Sequence, residues 1–163
     1  MVVLVKHSLW FLGLSTALLG LACAGLEEDA GLKSPGEPSS EGASTEVSAF
    51  SLKIGDCFQD TVGETISDLP VVSCDSPHDN EVYHIFDVQL QGYDEAVVDE
   101  TARTTCTDAF QAYVGRDFDN SKYYNAWMTP TKESWNLGSD REVICILYEA
   151  EQQMVGSARG TGL

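Results

Sequence analysis

The chain has 163 residues, with nine Lys or Arg against 26 Asp or Glu, a formal net charge of -17, and 43% hydrophobic residues. That length bounds the answer to one domain of ordinary size with accessories. The acidity excludes nucleic acid as a partner, because a phosphate backbone is bound by clustered Lys and Arg, and it equally excludes electrostatic docking on an anionic membrane surface.

In chain order, the first element is a targeting segment. Lys6 supplies a positive n-region. Leu9 to Ala22 is an apolar run broken only by Gly, Ser15 and Thr16, and small residues cluster from Ala22 to Gly25. Charge, length and exit chemistry read as a signal peptide over residues 1–23. Cys23 is the expected lipidation site, its thiol acylated and its residue made the new N-terminus. The usual Leu three residues before such a cysteine is here Gly20, with Leu19 one place further out. Ordinary cleavage after Ala24 and an uncleaved anchor over Leu9 to Leu26 are the competing readings. All three place the rest of the chain on the extracytoplasmic face of a membrane or beyond it. Residues 24–50 are rich in Glu, Ser, Gly and Pro. They hold too little apolar surface to offset ordering entropy, so they are expected to form a disordered tether, its ends ~25–30 Å apart.

The folded body is expected over residues 51–163. Leu52 and Ile54 alternate with polar neighbours into Gly55-Asp56-Cys57-Phe58, a short strand ending at a turn. Val71 to Cys74 reads as a second short strand after Pro70. Residues 82–90 form the clearest strand, with Val82, His84, Phe86, Val88 and Leu90 on one face. A helix follows over residues 95–114. Asp94 is placed to cap it, and Val98, Ala102, Cys106, Ala109, Phe110 and Tyr113 share one stripe. Gly115 is its stop. Residues 123–129 look extended, and Pro130 to Asp140 reads as a polar loop. Val143 to Tyr148 reads as a central strand buried on both faces. The tail from Val155 is expected to add a brief edge strand and fray. The sum is an α+β domain: a small, mostly antiparallel sheet with one main helix on a face.

Beyond Cys23 there are four cysteines, Cys57, Cys74, Cys106 and Cys145. An even count in an exported domain implies two disulfides, with three possible pairings. Cys57–Cys74 and Cys106–Cys145 are favoured: the first joins two neighbouring short strands, and the second pins the helix stripe to the buried last strand. Each adds roughly 2–4 kcal/mol. A metal site is disfavoured because no C-x-x-C pair occurs.

Pro77-His78-Asp79-Asn80-Glu81 with His84 is the one dense cluster of chemistry-bearing residues. His78 and Glu81 can in principle bind a divalent metal or form an acid–base pair. The commoner use is structural: His78 bracing a turn through Asp79, Glu81 or backbone, and His84 as a core histidine. Trp127 and Trp135, with Tyr123 and Tyr124, can form an aromatic platform for glycan or peptide, although aromatics on a short extended segment more often serve the core. Arg159 is available to an acidic partner, though a solvated terminus is the simpler expectation. No G-x-S-x-G elbow and no phosphate-binding glycine motif is present.

Three stretches carry a family resemblance: Ile54 to Phe58 with Val72 to Val82; Ser134 to Gly138 with Arg141 and Cys145; and Val155 to Gly160. Together they resemble the septum formation domain of actinobacterial exported and membrane-anchored proteins, across nearly all of residues 52–160. The most specific piece is G-D-C-F followed by C-x-x-P-H-x-x-E. Arg141 enters as a motif residue on the same resemblance. The family pattern has Gly-Asp-Arg after the tryptophan, whereas Ser139 stands here between Gly138 and Asp140. The resemblance implies a link to cell division or cell-wall growth and no particular reaction. The expectation is a non-enzymatic, membrane-tethered binding or structural domain without a cofactor or metal, whose partner is a cell-envelope protein or glycan. The rival expectation is an envelope hydrolase or metal-dependent enzyme using Pro77–Glu81.

Overall fold

The structure, a computed structural model, describes residues 44–61 and 68–163. The signal segment with Cys23, and the tether as far as residue 43, lie outside the described residues. Among the described residues no helix is long and apolar enough to cross a membrane.

Among the described residues six strands form one antiparallel sheet: β1 (Thr45–Ser48), β2 (Cys57–Phe58), β3 (Asp68–Val72), β4 (Asn80–Asp87), β5 (Tyr123–Met128) and β6 (Glu142–Glu149). Their spatial order is β1-β3-β2-β4-β6-β5. Helix α1 (Glu95–Val114) packs on one face, and a short helix α2 (Lys132–Gly138) joins β5 to β6. The domain is therefore α+β with two disulfides.

Helix α1 has the bounds its sequence signals dictate. The Asp94 carboxylate accepts from the Val97 N–H, and Gly115 closes the helix at φ 88°, a left-handed conformation that suits a residue without Cβ. Val98, Ala102, Cys106 and Phe110 are buried against Tyr83, Val143, Cys145 and Leu147 of the sheet. The opposite sheet face carries a second cluster, in which Phe58, Leu69, Val82, Ile144 and Ile146 are joined by Ala49 and Leu52 from the segment after β1. Strand β6 lies between β4 and β5 and contributes to both clusters, which is why Val143 to Leu147 is an unbroken apolar run.

Several details differ from the sequence reading. The sheet starts at Thr45, inside the stretch expected to be disordered, because β1 pairs with β3. The turn at Gly55, φ 98°, precedes its strand, so that β2 is only Cys57–Phe58. Strand β3 runs through Pro70; the Pro70 carbonyl accepts from the Gln59 N–H at 3.1 Å, but proline has no N–H to return. In β4 the register with β6 shifts between Val82 and His84, leaving Tyr83 as the extra residue of a bulge. The bulge separates Val82, which joins the second cluster, from Phe86 and Val88, which pack with the first.

The supposed polar loop contains α2, nucleated by a reciprocal cap between Thr131 and Ser134 and buried through Trp135. Ser139 takes the left-handed C-cap position, φ 54°, and so absorbs the extra residue. The C-terminal tail neither adds a strand nor frays. Met154 and Ala158 are buried, and the Gly160 and Gly162 N–H groups donate to the carbonyls of Tyr113 and Val114 at the end of α1.

Candidate functional site

Glu81 is the centre of the arrangement. It lies at the start of β4, in register with Cys57 of β2 and Leu147 of β6, and is fully buried. A carboxylate in the interior is costly unless hydrogen-bonded. Here Oε1 accepts from the Tyr113 hydroxyl at 2.6 Å and from Ser157 Oγ at 2.5 Å, and Oε2 accepts from the Ala158 N–H at 2.7 Å. The side chain thus ties the sheet to the end of α1 and to the C-terminal tail. Burial, and then the Glu81 acceptor beside it, push the Tyr113 hydroxyl up to about 12. The Arg159 guanidinium lies over the Tyr113 ring, 4.8 Å from its centroid.

His78 is equally buried but makes a different set of bonds. Its Nδ1 lies 2.9 Å from the Ser76 carbonyl, which can only accept, so Nδ1 is a donor in this contact. Its Nε2 is buried and has no hydrogen-bond partner among the described residues. The backbone of His78 exchanges two hydrogen bonds with Met154, at 3.0 and 2.8 Å. Its neighbours are held as firmly. Asp79 Oδ2 accepts from the Asp60 N–H at 2.8 Å, Asn80 Nδ2 donates to Asp60 Oδ1 at 2.8 Å, and Gln59 Nε2 donates to the Pro77 carbonyl at 2.7 Å. The turn is braced through backbone and through Asp60. His84 is half-buried and stacks on Phe86, ring centroids 5.8 Å apart.

Both disulfides are those favoured from the sequence, Cys57–Cys74 with Cα atoms 5.2 Å apart and Cys106–Cys145 with Cα atoms 5.5 Å apart. Among the described residues, one group of His, Cys, Asp or Glu has metal-like spacing: Cys57, Cys74 and Glu81, with ligand atoms within 4.8 Å of one another. His78 is not part of it, and the two sulfurs are bonded to each other; zinc takes thiolates.

Of the four aromatic residues of the proposed platform, Tyr123, Tyr124 and Trp127 are divided by the pleat of β5, and Trp135 lies on α2. Tyr123 and Trp127 pack on the α1 side, in the cluster that also holds Trp135. Trp127 Nε1 donates to Asp99 of α1 at 2.8 Å. Trp135 is buried, with the Arg141 guanidinium 3.5 Å above its ring and Tyr93 against its edge. Arg141 also donates to the carbonyls of Trp135 and Asp140, at 3.1 and 2.7 Å, and so closes the loop after α2. Tyr124 is 51% exposed and stacks on Tyr148, its cross-strand partner.

Sequence reasoning missed two sets of groups. Tyr113, Ser157 and Ala158 are the partners of Glu81, brought from 32 to 77 residues away, and nothing local announces them. A cleft of about 410 Å³ near α2 is lined by Asp87, Asp140 and Glu142, which the sequence reading passed over, beside the motif residue Arg141, which it named. Burial, then the nearby Asp140 and Asp87, hold the Glu142 carboxyl above the usual carboxylate range.

The family profile described as septum formation matches residues 54–161, a span that contains every group above from Gly55 to Gly160. No curated protein and no solved structure matches the chain.

Proposed function

The chain belongs to the septum formation family, and on that premise we propose that it is a non-enzymatic, extracytoplasmic, membrane-tethered domain that binds an envelope partner during division or cell-wall growth. The observation that carries the reading is the use made of the family's motif residues. Glu81 and His78 are wholly buried, and both Glu81 oxygens are occupied by protein donors, so this cluster serves to join β2, β4, α1 and the tail. Two disulfides in so short a domain fit an oxidising compartment outside the cytoplasm. The tether and its lipid at Cys23 complete the proposal, and the partner is a protein or glycan offering cationic or uncharged groups to an acidic body.

In-cell cross-linking of the full chain followed by mass spectrometry tests it. The expected result is enrichment of an envelope protein or cell-wall glycan, and recovery of nothing above background counts against the proposal. Metabolic labelling with a radioactive fatty acid should mark the wild type and not Cys23→Ala; label retained in the variant removes the lipid anchor from the reading. The hydrolase reading has its own signature. Release of soluble fragments from purified cell wall, lost in Glu81→Gln, would establish an enzyme instead.

A further inference from the structure

The two disulfides sit in opposite surroundings. Cys106 and Cys145 are both fully buried beneath α1. Of the other pair, Cys57 is buried but Cys74 is part-exposed. Beside Cys74 the neighbouring turns leave apolar side chains in solvent, Ile54 at 46% and Val155 at 69% exposure. These turns are held against it by contacts of the adjoining residues: Cys74 Sγ lies 3.4 Å from the Gly55 carbonyl oxygen, and the Gly156 N–H donates to the Cys74 carbonyl at 2.7 Å.

The groups facing the sulfurs are oxygens. The Gly55 carbonyl oxygen is 3.4 Å from Cys74 Sγ and 4.0 Å from Cys57 Sγ, and a Glu81 carboxylate oxygen lies within 4.8 Å of both. A disulfide sulfur has no proton to offer such acceptors. A thiol does. The Gly55 carbonyl is thus placed to accept from a Cys74 thiol, and an acceptor that stabilises the reduced form, together with the part-exposure of Cys74, makes this disulfide the easier of the two to reduce.

We propose that Cys57–Cys74 is a thiol–disulfide exchange site for an external dithiol, and that its reduction loosens the C-terminal strap formed by residues 154–162. A thiolate of the dithiol, its proton released to solvent, attacks Sγ of Cys74, the S–S bond breaks, and the electron pair leaves on Sγ of Cys57, which takes up a proton from solvent. The second thiol of the dithiol gives up its proton and attacks the dithiol's own sulfur in the mixed disulfide, releasing Cys74, which is protonated in turn. The protein gains two electrons and two protons, and the dithiol becomes a disulfide. The strap is coupled because it is bonded to the freed segment at Gly156–Cys74 and Met154–His78, and to Glu81 through Ser157 and Ala158.

The test uses the full chain, natively folded, in graded dithiothreitol, quenched with N-ethylmaleimide and peptide-mapped, with hydrogen exchange read in parallel. The expected result is labelling of Cys57 and Cys74 at least about tenfold faster than Cys106 and Cys145, with exchange rising over residues 154–162 while α1 stays protected. Equal rates, or earlier reduction of Cys106–Cys145, overturn the proposal. Selective reduction with an unchanged strap overturns the coupling. The variant Cys57→Ser/Cys74→Ser, which lacks the bridge without any reductant, should show the same strap exchange, and the labelling result stands if that variant fails to fold.

Discussion

Among the described residues Glu81 has three donors and no cation, so its replacement separates charge from hydrogen bonding. In Glu81→Gln the carbonyl oxygen can keep the Ala158 N–H, which has no other role available. The new NH₂ faces Tyr113 and Ser157, whose hydroxyls can rotate to accept. The expected loss is about 1–1.5 kcal/mol, from exchanging charge-assisted bonds for neutral ones. Glu81→Ala leaves three donors unpaired and a cavity, and is expected to cost about 3 kcal/mol or more. Urea unfolding of the two variants measures the gap, and equal losses would show that the charge itself holds the site. Tyr113 makes the second residue-scale prediction. Its phenol loses a proton near pH 10 in the unfolded chain and near 12 in the folded one, so across that window the folded state holds a proton that the unfolded state has lost. Its contribution is fully present below pH 10 and disappears as pH rises toward 12. The urea midpoint should fall over this range, and less steeply in Tyr113→Phe; an equal slope in the variant assigns the effect to other groups, among them Tyr83, which burial shifts in the same direction. In the sequence, His78 and Glu81 were visible as a cluster. Their partners were not, because Tyr113 read only as one member of a helical stripe, and Ser157 and Ala158 as part of a tail.

The two helix ends invite opposite substitutions. Gly115 closes α1 at φ 88° with no atom close enough to clash with an added Cβ, so Gly115→Ala tests the backbone alone and should cost about 1 kcal/mol. Ser139 closes α2 in the same left-handed region while carrying a Cβ, and Ser139→Gly should stabilise by about 0.5–1 kcal/mol. Thermal melts of both variants check the pair of signs, and a stabilising Gly115→Ala would show that the cap geometry is not what limits α1. Elements with their own periodicity and punctuation were legible: α1, between Asp94 and Gly115, and β6, whose apolar run can only be buried on both faces. The failures share a different cause. Helix α2 has seven residues and one buried side chain, so it has no stripe to read, and only the Thr131–Ser134 cap marks it. Strand β1 is polar and half-exposed, and exists because β3 offers it an edge. The bulge at Tyr83 is set by pairing with β6, and local alternation carries no trace of it.

For the whole molecule, the acidity noted at the outset falls mainly on the body: residues 51–163 hold 20 acidic and seven basic residues. Such a body repels itself, which destabilises the compact state. The Arg103–Glu100 pair is exposed and screened by solvent, so it does little to offset this, and Lys122 pairs with Glu149 at 2.9 Å at the edge of the sheet without reaching the core. Covalent bridges are indifferent to this repulsion, and they differ in reach. Cys106–Cys145 spans 39 residues and fastens α1 to the centre of the sheet, whereas Cys57–Cys74 spans 17 within a region of short strands. Loop-closure entropy puts the first at about 4 kcal/mol and the second at about 3 kcal/mol. Removing the first also leaves two vacant positions in a core with no solvent to fill them. Cys106→Ala/Cys145→Ala should therefore lower the urea midpoint further than Cys57→Ala/Cys74→Ala, and should raise hydrogen exchange throughout α1. The second variant should open residues 154–162 and leave the α1 core protected. If instead both variants lose the same stability and expose the same amides, the sheet, α1 and the tail unfold as one unit, and the bridges act only on the unfolded chain.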